Sequence, residues 1–138
     1  MADLGVGNNW ERLIDFSVGG DHINVGRNQT GTNMTLEYYN PSKQGTTSNI
    51  IQNNTLANYV VTTDGTHAKF YRNGTLLTTN NFQYLPSNSA RSQNYIGRSR
   101  GGAAYYEGKM AVVAIFSRAL SATEITDLYN HYNSIYSF

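Results

Sequence analysis

The sequence predicts an all-β fold closed by one short C-terminal helix, and three observations carry that prediction. First, Asp64-Gly65 and Asn73-Gly74 are both favoured two-residue hairpin turns. Taken literally, they set Tyr59 opposite Phe70, Val61 opposite Ala68 and Phe70 opposite Leu77, so Tyr59, Val61, Ala68, Phe70 and Leu77 form one apolar face. Second, residues 110–116 are the longest apolar run in the chain and are apolar on both alternating faces, which predicts a strand covered on both sides. Third, Ser121-Ala122-Thr123-Glu124 is a capping box. After it, Ile125, Leu128, Tyr129 and Tyr132 recur at i, i+3, i+4 and i+7, an apolar stripe for docking on a core.

In chain order, residues 1–9 are small and polar and read as a flexible entry, with a single domain over 10–138. Residues 10–16 read as the first strand, with Trp10, Arg12, Ile14 and Phe16 on one face and Glu11, Leu13 and Asp15 on the other. Gly19-Gly20 turns the chain into a strand over 22–25. A strand over 34–39 places Met34, Leu36 and Tyr38 together; 41–47 reads as loop and 49–52 as a short strand. The meander of 59–79 follows, its second face carrying His67, Lys69 and Tyr71. Residues 82–85 form a short element and 86–91 a loop. A strand over 93–97 leads to the glycine-tipped loop of 98–104 and the long strand within 105–117. Residues 134–138 are apolar enough to form a last strand.

Several of these pieces match a known pattern. Ile96-Gly97, Tyr106-Glu107-Gly108, the run 110–116, Arg118-Ala119-Leu120-Ser121, Glu124-Ile125 and Leu128-Tyr129 stand in the order and spacing of a family's C-terminal signature. Thr62-Thr63-Asp64-Gly65 and Phe70-Tyr71-Arg72-Asn73-Gly74 match its middle signature. The chain resembles the laminin-G-like, concanavalin-A-like jelly rolls from about Trp10 to Tyr132. The resemblance implies a jelly-roll β-sandwich and a binding role without naming a ligand. It also implies a calcium ion at the rim, for which Asp15 and Asp21 are the carboxylates at strand ends or turns; Asp64 is accounted for by its hairpin turn. Family members begin with strands that have no counterpart here, and Ala111 stands where many carry an acidic residue. The missing strands predict open sheet edges, and open edges predict a homo-oligomer or a larger assembly unless residues 134–138 fill the gap or the domain is simply smaller.

Composition narrows the function classes. With 138 residues the chain is long enough for one cored domain. Only 14% of residues are charged and the formal net charge is +1, so the basic stripe of a nucleic-acid binder is absent. The chain has no cysteine, which excludes disulfides and thiolate metal sites. No apolar run approaches the ~20 residues of a membrane-spanning helix. The Asn-, Thr-, Gly-, Ser- and Tyr-rich polar fraction suits an extracellular or virion surface.

Catalytic patterns are sparse. Glu11 and Asp15 share a strand face, but Leu13 stands between them and no run of alternating carboxylates occurs, unlike the paired carboxylates of glycosidases. His22, His67 and His131 fall in separate elements. The sequence therefore predicts no enzyme. A sugar-facing site needs exposed aromatics beside planar polar groups. Arg98, Arg100 and Tyr105 flank the Gly101-Gly102 tip and form the first candidate site; alternation sends one of Tyr105 and Tyr106 inward, and the resemblance, which puts Tyr106 in the family's aromatic-x-G turn, implies that it is Tyr106. His67, Lys69 and Tyr71 form the second. The expected function is a non-catalytic, lectin-like adhesion module that recognises glycans or a cell surface. The alternative is a structural or decoration subunit of a virion, fibre or filament.

Overall fold

The computed structural model describes residues 2–4, 10–39, 43–102 and 104–137. Its elements are β1 (Ala2–Leu4), β2 (Arg12–Val18), β3 (Asp21–Arg27), β4 (Asn33–Tyr39), β5 (Lys43–Asn49), β6 (Leu56–Ala57), β7 (Tyr59–Thr63), β8 (His67–Arg72), β9 (Thr75–Asn81), β10 (Gln93–Ile96), β11 (Gly108–Met110) and α1 (Ala122–Tyr136). One layer is the antiparallel sheet β10-β2-β3-β4-β5, and two three-stranded sheets, β11-β1-β6 and β7-β8-β9, supply the partners across the core. Leu4 of β1, Met34, Leu36 and Tyr38 of β4, and Ala68 and Phe70 of β8 meet there with Ile50, Ile51 and Phe82. The all-β sandwich with one C-terminal helix is the class that the sequence predicts.

The meander keeps its predicted face in a different register. Tyr59 pairs with Arg72 and Val61 with Phe70, two residues from the literal two-residue turn. The Asp64 side chain widens the first turn by accepting the backbone N–H groups of Thr66 and His67. Because side-chain direction has period 2, an even shift leaves Ala68 and Phe70 on the core side. The second turn forms at Asn73-Gly74, both with positive φ, and Arg72 pairs with Thr75. A bulge then sets Phe70 opposite Thr78, so Leu77 leaves the predicted apolar face and is exposed.

The helix forms as its capping box predicts. Glu124 N–H donates to Ser121 Oγ at 3.2 Å, and Ser121 N–H donates to Glu124 Oε2 at 2.8 Å. Ile125 is buried, and Thr126 Oγ1 donates to the Gly74 carbonyl at 3.3 Å, docking the helix on the second hairpin. A Cβ on Gly74 would lie 3.1 Å from the Tyr129 ring, so the glycine serves both the turn and the docking.

Five expectations are corrected. Ala2–Leu4 is a core strand rather than part of a flexible entry, because Ala2 and Leu4 are buried and β1 ladders with β11 and β6; residues 5–9 lie outside the described residues. The predicted loop of 41–47 holds the start of edge strand β5; residues 41–42 lie outside the described residues, and Ile50 and Ile51 follow the strand into the core. Residues 134–136 continue α1 and form no strand. The strand over 10–16 starts at Arg12, with a bulge between Arg12 and Ile14. The fifth concerns 110–116: the ladder of β11 with β1 ends at Ala2↔Met110, and beyond it the chain is neither strand nor buried, with Ile115 61% and Phe116 48% exposed. This stretch lines an apolar groove of about 440 Å³ together with Leu13, Val25, Leu36 and Val61. Apolarity on both faces marked a segment for burial, but 111–116 forms no strand ladder among the described residues.

A buried ion pair sits where β2 begins. Arg27 Nε donates to Glu11 Oε2 at 3.0 Å, and both side chains are fully buried. Arg27→Ala is expected to destabilise the fold by about 3–5 kcal/mol, because the Glu11 carboxylate stays buried without its cation. The joint replacement Glu11→Leu with Arg27→Met should cost less than that single change. Urea midpoints of the three proteins check both statements.

Candidate functional site

The five-stranded sheet has two chemically different faces. On the core side, Ile96, Ile14, Val25 and Leu36 stand opposite one another across four strands. On the other side the matching row is Tyr95, Asp15, Asn24, Glu37 and Gly45. A second polar row contains Gln93, Ser17, His22 and Tyr39. Arg12 joins this face because of the bulge: it pairs with Gly26, the neighbour of Val25, while Ile14 pairs with Val25 itself. Without the extra residue, Arg12 and Ile14 would share a face. Gly26 permits the arrangement, since a Cβ there would meet the Glu11 carbonyl oxygen at 2.0 Å.

This polar floor is buried, with Asn24, Ser17, Asp15 and Glu37 all lacking appreciable exposure. Asn24 Nδ2 donates to Glu37 Oε2 at 3.1 Å, and Arg12 Nη2 lies 3.5 Å from the same oxygen. The loop after β10 arches over the row: Arg100 N–H donates to Asp15 Oδ2 at 3.1 Å. Arg98 lies over the Tyr95 ring at 4.3 Å from its centroid, a cation–π contact. Five buried side-chain atoms on this face have no hydrogen-bond partner among the described residues: Arg12 Nε and Nη1, Asp15 Oδ1, His22 Nδ1 and Asn24 Oδ1. Such atoms are costly to bury unpaired. They offer donors on Arg12 beside acceptors on Asp15 and Asn24, the mixture that suits a hydroxyl, which donates and accepts at once.

The predicted site residues divide. Arg98, Arg100 and Tyr105 are together on the loop, where Arg98 and Tyr105 form an isolated bridge and Tyr105 is 54% exposed. Tyr106 is half-buried against the core, the side that the resemblance implies for it. His67, Lys69 and Tyr71 lie on β8, in a different sheet. Tyr71 is only 3% exposed and burial raises its phenol pKa, so it is packed away from solvent rather than presented to it. His67 Nδ1 faces Thr66 Oγ1 at 2.9 Å within the Asp64 turn. Asp15 and Asp21, the carboxylates expected for calcium, have different surroundings. Asp15 belongs to the polar floor, whereas Asp21 pairs with Arg91 Nη2 at 3.0 Å and accepts the Ser87 hydroxyl. No group of three His, Cys, Asp or Glu side chains gathers among the described residues.

Sequence reasoning missed Arg12, His22, Asn24, Glu37 and Tyr95. A signal was present for most of them. Asn24 alternates with Ile23 and Val25, and Thr35 and Glu37 alternate with Met34, Leu36 and Tyr38, so adjacent strands each carried a polar side. Arg12 gave no signal, because period-2 alternation assigns it to the other face.

A family model described as the concanavalin A-like lectin/glucanases superfamily, laminin-G-like, matches residues 4–126. Among solved structures, the CBM40 of the Ruminococcus gnavus IT-sialidase, bound to α2,3-sialyllactose, superposes with a TM-score of 0.73 at 14% identity, covering 93% of this chain and 78% of that one. That neighbour is a jelly-roll module, and the likeness shows the fold. An S-layer domain-containing protein of Clostridium thermocellum aligns with a TM-score of 0.47 at 20% identity, over 88% of this chain and 63% of that one. No curated protein sequence matches the chain. No helix among the described residues is long and apolar enough to cross a membrane.

The floor makes a pH prediction. Burial lowers the His22 pKa; Asp15 and Glu37 oppose the shift, while Arg100 and Arg12 add to it. The unfolded chain then binds the proton more readily than the folded one, so stability falls as pH drops below the ordinary histidine value of about 6.5. His22→Gln is expected to flatten the dependence of the urea midpoint on pH between about 6.5 and 5.

Proposed function

The chain belongs to the concanavalin A-like lectin/glucanase superfamily, and on that premise we propose that it is a non-catalytic carbohydrate-binding module. The ligand site is the polar face of the five-stranded sheet beneath the loop of 98–105. The single observation that carries this reading is the set of unpartnered buried atoms on Arg12, Asp15, His22 and Asn24, which converge on one sheet face. Sugar hydroxyls would satisfy them. Tyr95 and Tyr105 supply flat apolar surface beside the Arg98 and Arg100 cations. The sialyllactose-bound neighbour of the same fold supports a glycan as the ligand class. Asp15 and Glu37 are each held by donors from neighbouring elements, Arg100 N–H for one and Asn24 and Arg12 for the other, an arrangement that orients a ligand. Adhesion at an extracellular or virion surface follows as the setting of such a module.

Asn24→Ala and Arg12→Ala should each weaken glycan binding by about tenfold or more, since each removes a buried group aimed at the ligand. Replacing Arg98, Arg100 and Tyr105 together by Ala should do the same. Glycan-array binding, with and without calcium, checks this. No glycan bound by the wild type in either condition, or unchanged binding by these variants, would overturn the reading.

A second reading, a subunit that assembles with further copies of itself, is favoured by the exposed apolar strip of Val113, Ile115 and Phe116 beside the groove. Exposed patches of this kind mark contact surfaces. Light scattering should then show oligomers that Ile115→Ser with Phe116→Ser dissociates; a monomer at all concentrations sinks the assembly reading.

A further inference from the structure

The apolar groove of about 440 Å³ is bounded by two lengths of backbone. On one side stands β7, which among the described residues ladders with β8 alone and is therefore the edge of its sheet. On the other side runs 112–117, which forms no ladder among the described residues. Consecutive residues of both stretches line the groove, 58–63 on one wall and 112–117 on the other. Its floor is the core face of the five-stranded sheet, where Leu13, Ile23 and Val25 pack against the core yet are only partly buried. Leu128 and Tyr132 of α1 complete the lining.

The two walls continue the flanks of β1. Ala2 pairs with Ala57 on one side and with Met110 on the other. Carrying both antiparallel ladders on in step sets 59 across from 112 and 63 across from 116, with one strand position between the members of each pair. The groove thus follows the line of β1.

Its polar groups are those that a backbone pairs with. Asp64 N–H donates to the His67 carbonyl and Asn73 N–H to the Asn58 carbonyl, so the even-numbered residues of 58–64 bond toward β8. Val61 and Thr63 then turn their N–H and C=O to the open edge. Asn58 adds an acceptor: it is 3% exposed, it lines the groove, and its Oδ1 has no hydrogen-bond partner among the described residues. An acyl chain in the groove would leave these groups unpaired at a cost, whereas a peptide strand pairs with them. Within this chain the run apolar on both faces, 110–116, is itself part of the groove wall, so the strand comes from another protein.

We infer that the groove is a strand-acceptor site: it takes one extended segment of another protein, apolar at alternate residues, antiparallel to β7 and in register with β1. The alternate apolar side chains face Leu13, Ile23 and Val25, and the main chain bonds to the edge of β7. The site is separate from the glycan reading, because it lies on the core face of the five-stranded sheet and the polar floor lies on the opposite face.

The test uses the full chain and the synthetic peptide acetyl-Lys-Val-Thr-Val-Thr-Val-Lys-amide, followed by NMR titration and amide hydrogen exchange. Binding is expected to slow exchange of the Val61 and Thr63 amides about tenfold or more. N-methylation of the peptide's valines should weaken it about tenfold or more, because alternate main-chain donors are lost. Val113→Lys with Ile115→Lys, two exposed positions on the facing wall, should weaken the peptide by a similar factor while leaving the urea midpoint unchanged. Failure of the peptide to bind, or equal affinity for its N-methylated form, overturns the proposal. So does displacement of the peptide by palmitate that leaves Val61 and Thr63 exchange unaltered, which makes the groove an acyl-chain site. Protection of these two amides that rises with protein concentration alone assigns the groove to a second copy and overturns it as well.

Discussion

The Glu11–Arg27 pair is the constraint on which the rest of the structure depends. Arg27 reaches Glu11, the Gly31 carbonyl at 2.6 Å and Asn53 Oδ1 at 3.0 Å, while the other Glu11 oxygen accepts Glu107 N–H at 3.2 Å. The Arg27 N–H also donates to the Glu11 carbonyl at 2.8 Å. One buried pair thus joins the start of β2, the end of β3, two loops and the segment that leads into β11. Burying two charges is unfavourable unless every donor and acceptor is used. Here that demand fixes where the chain enters the sheet, and Gly26 lets the Glu11 backbone come close enough to meet it.

The bulge next to this pair has a chemical consequence. It rotates Arg12 away from Ile14 and onto the face that carries Asp15, Asn24 and Glu37. The five-stranded sheet is thereby divided into an apolar side and a polar side. The polar side is covered by the loop of 98–105, which itself hangs on Asp15 through the Arg100 N–H. Burial without full pairing leaves the floor under electrostatic tension. The Arg12 guanidinium has its pKa lowered by desolvation, with Glu37 and Asp15 opposing the shift. Groups placed in this way cost stability in the fold and are available to a polar ligand that can pair with them.

The fold was legible where local chemistry and pattern agree. The Asn73-Gly74 turn, the capping box at Ser121 and the alternation of Met34, Leu36 and Tyr38 each act over a few residues, and each formed as the sequence predicts. Legibility failed where a backbone partner had to be supplied from elsewhere. Ala2–Leu4 carries no strand pattern of its own and is a strand because β6 and β11 flank it. Residues 111–116 carry every strand preference and form no ladder among the described residues. The Asp64 turn shows the intermediate case: a side chain widened the loop, and the even shift left the core unchanged.

The site divides along the same line. The sequence by itself determined a jelly-roll sandwich with a capped helix, an arginine- and tyrosine-bearing loop over 98–105, and Tyr105 outward with Tyr106 inward. These follow from alternation, turn chemistry and family spacing, all of which are local along the chain. Only the tertiary structure decided that this loop closes over Asp15, that Asn24 and Glu37 stand beside it on neighbouring strands, and that Arg12 faces them. The physical reason is that register and bulge position are set by pairing between segments far apart in sequence, in this protein by a buried ion pair that joins residues 11 and 27. A single inserted residue exchanges the two faces of a strand, and alternation along the chain carries no mark of where that insertion falls.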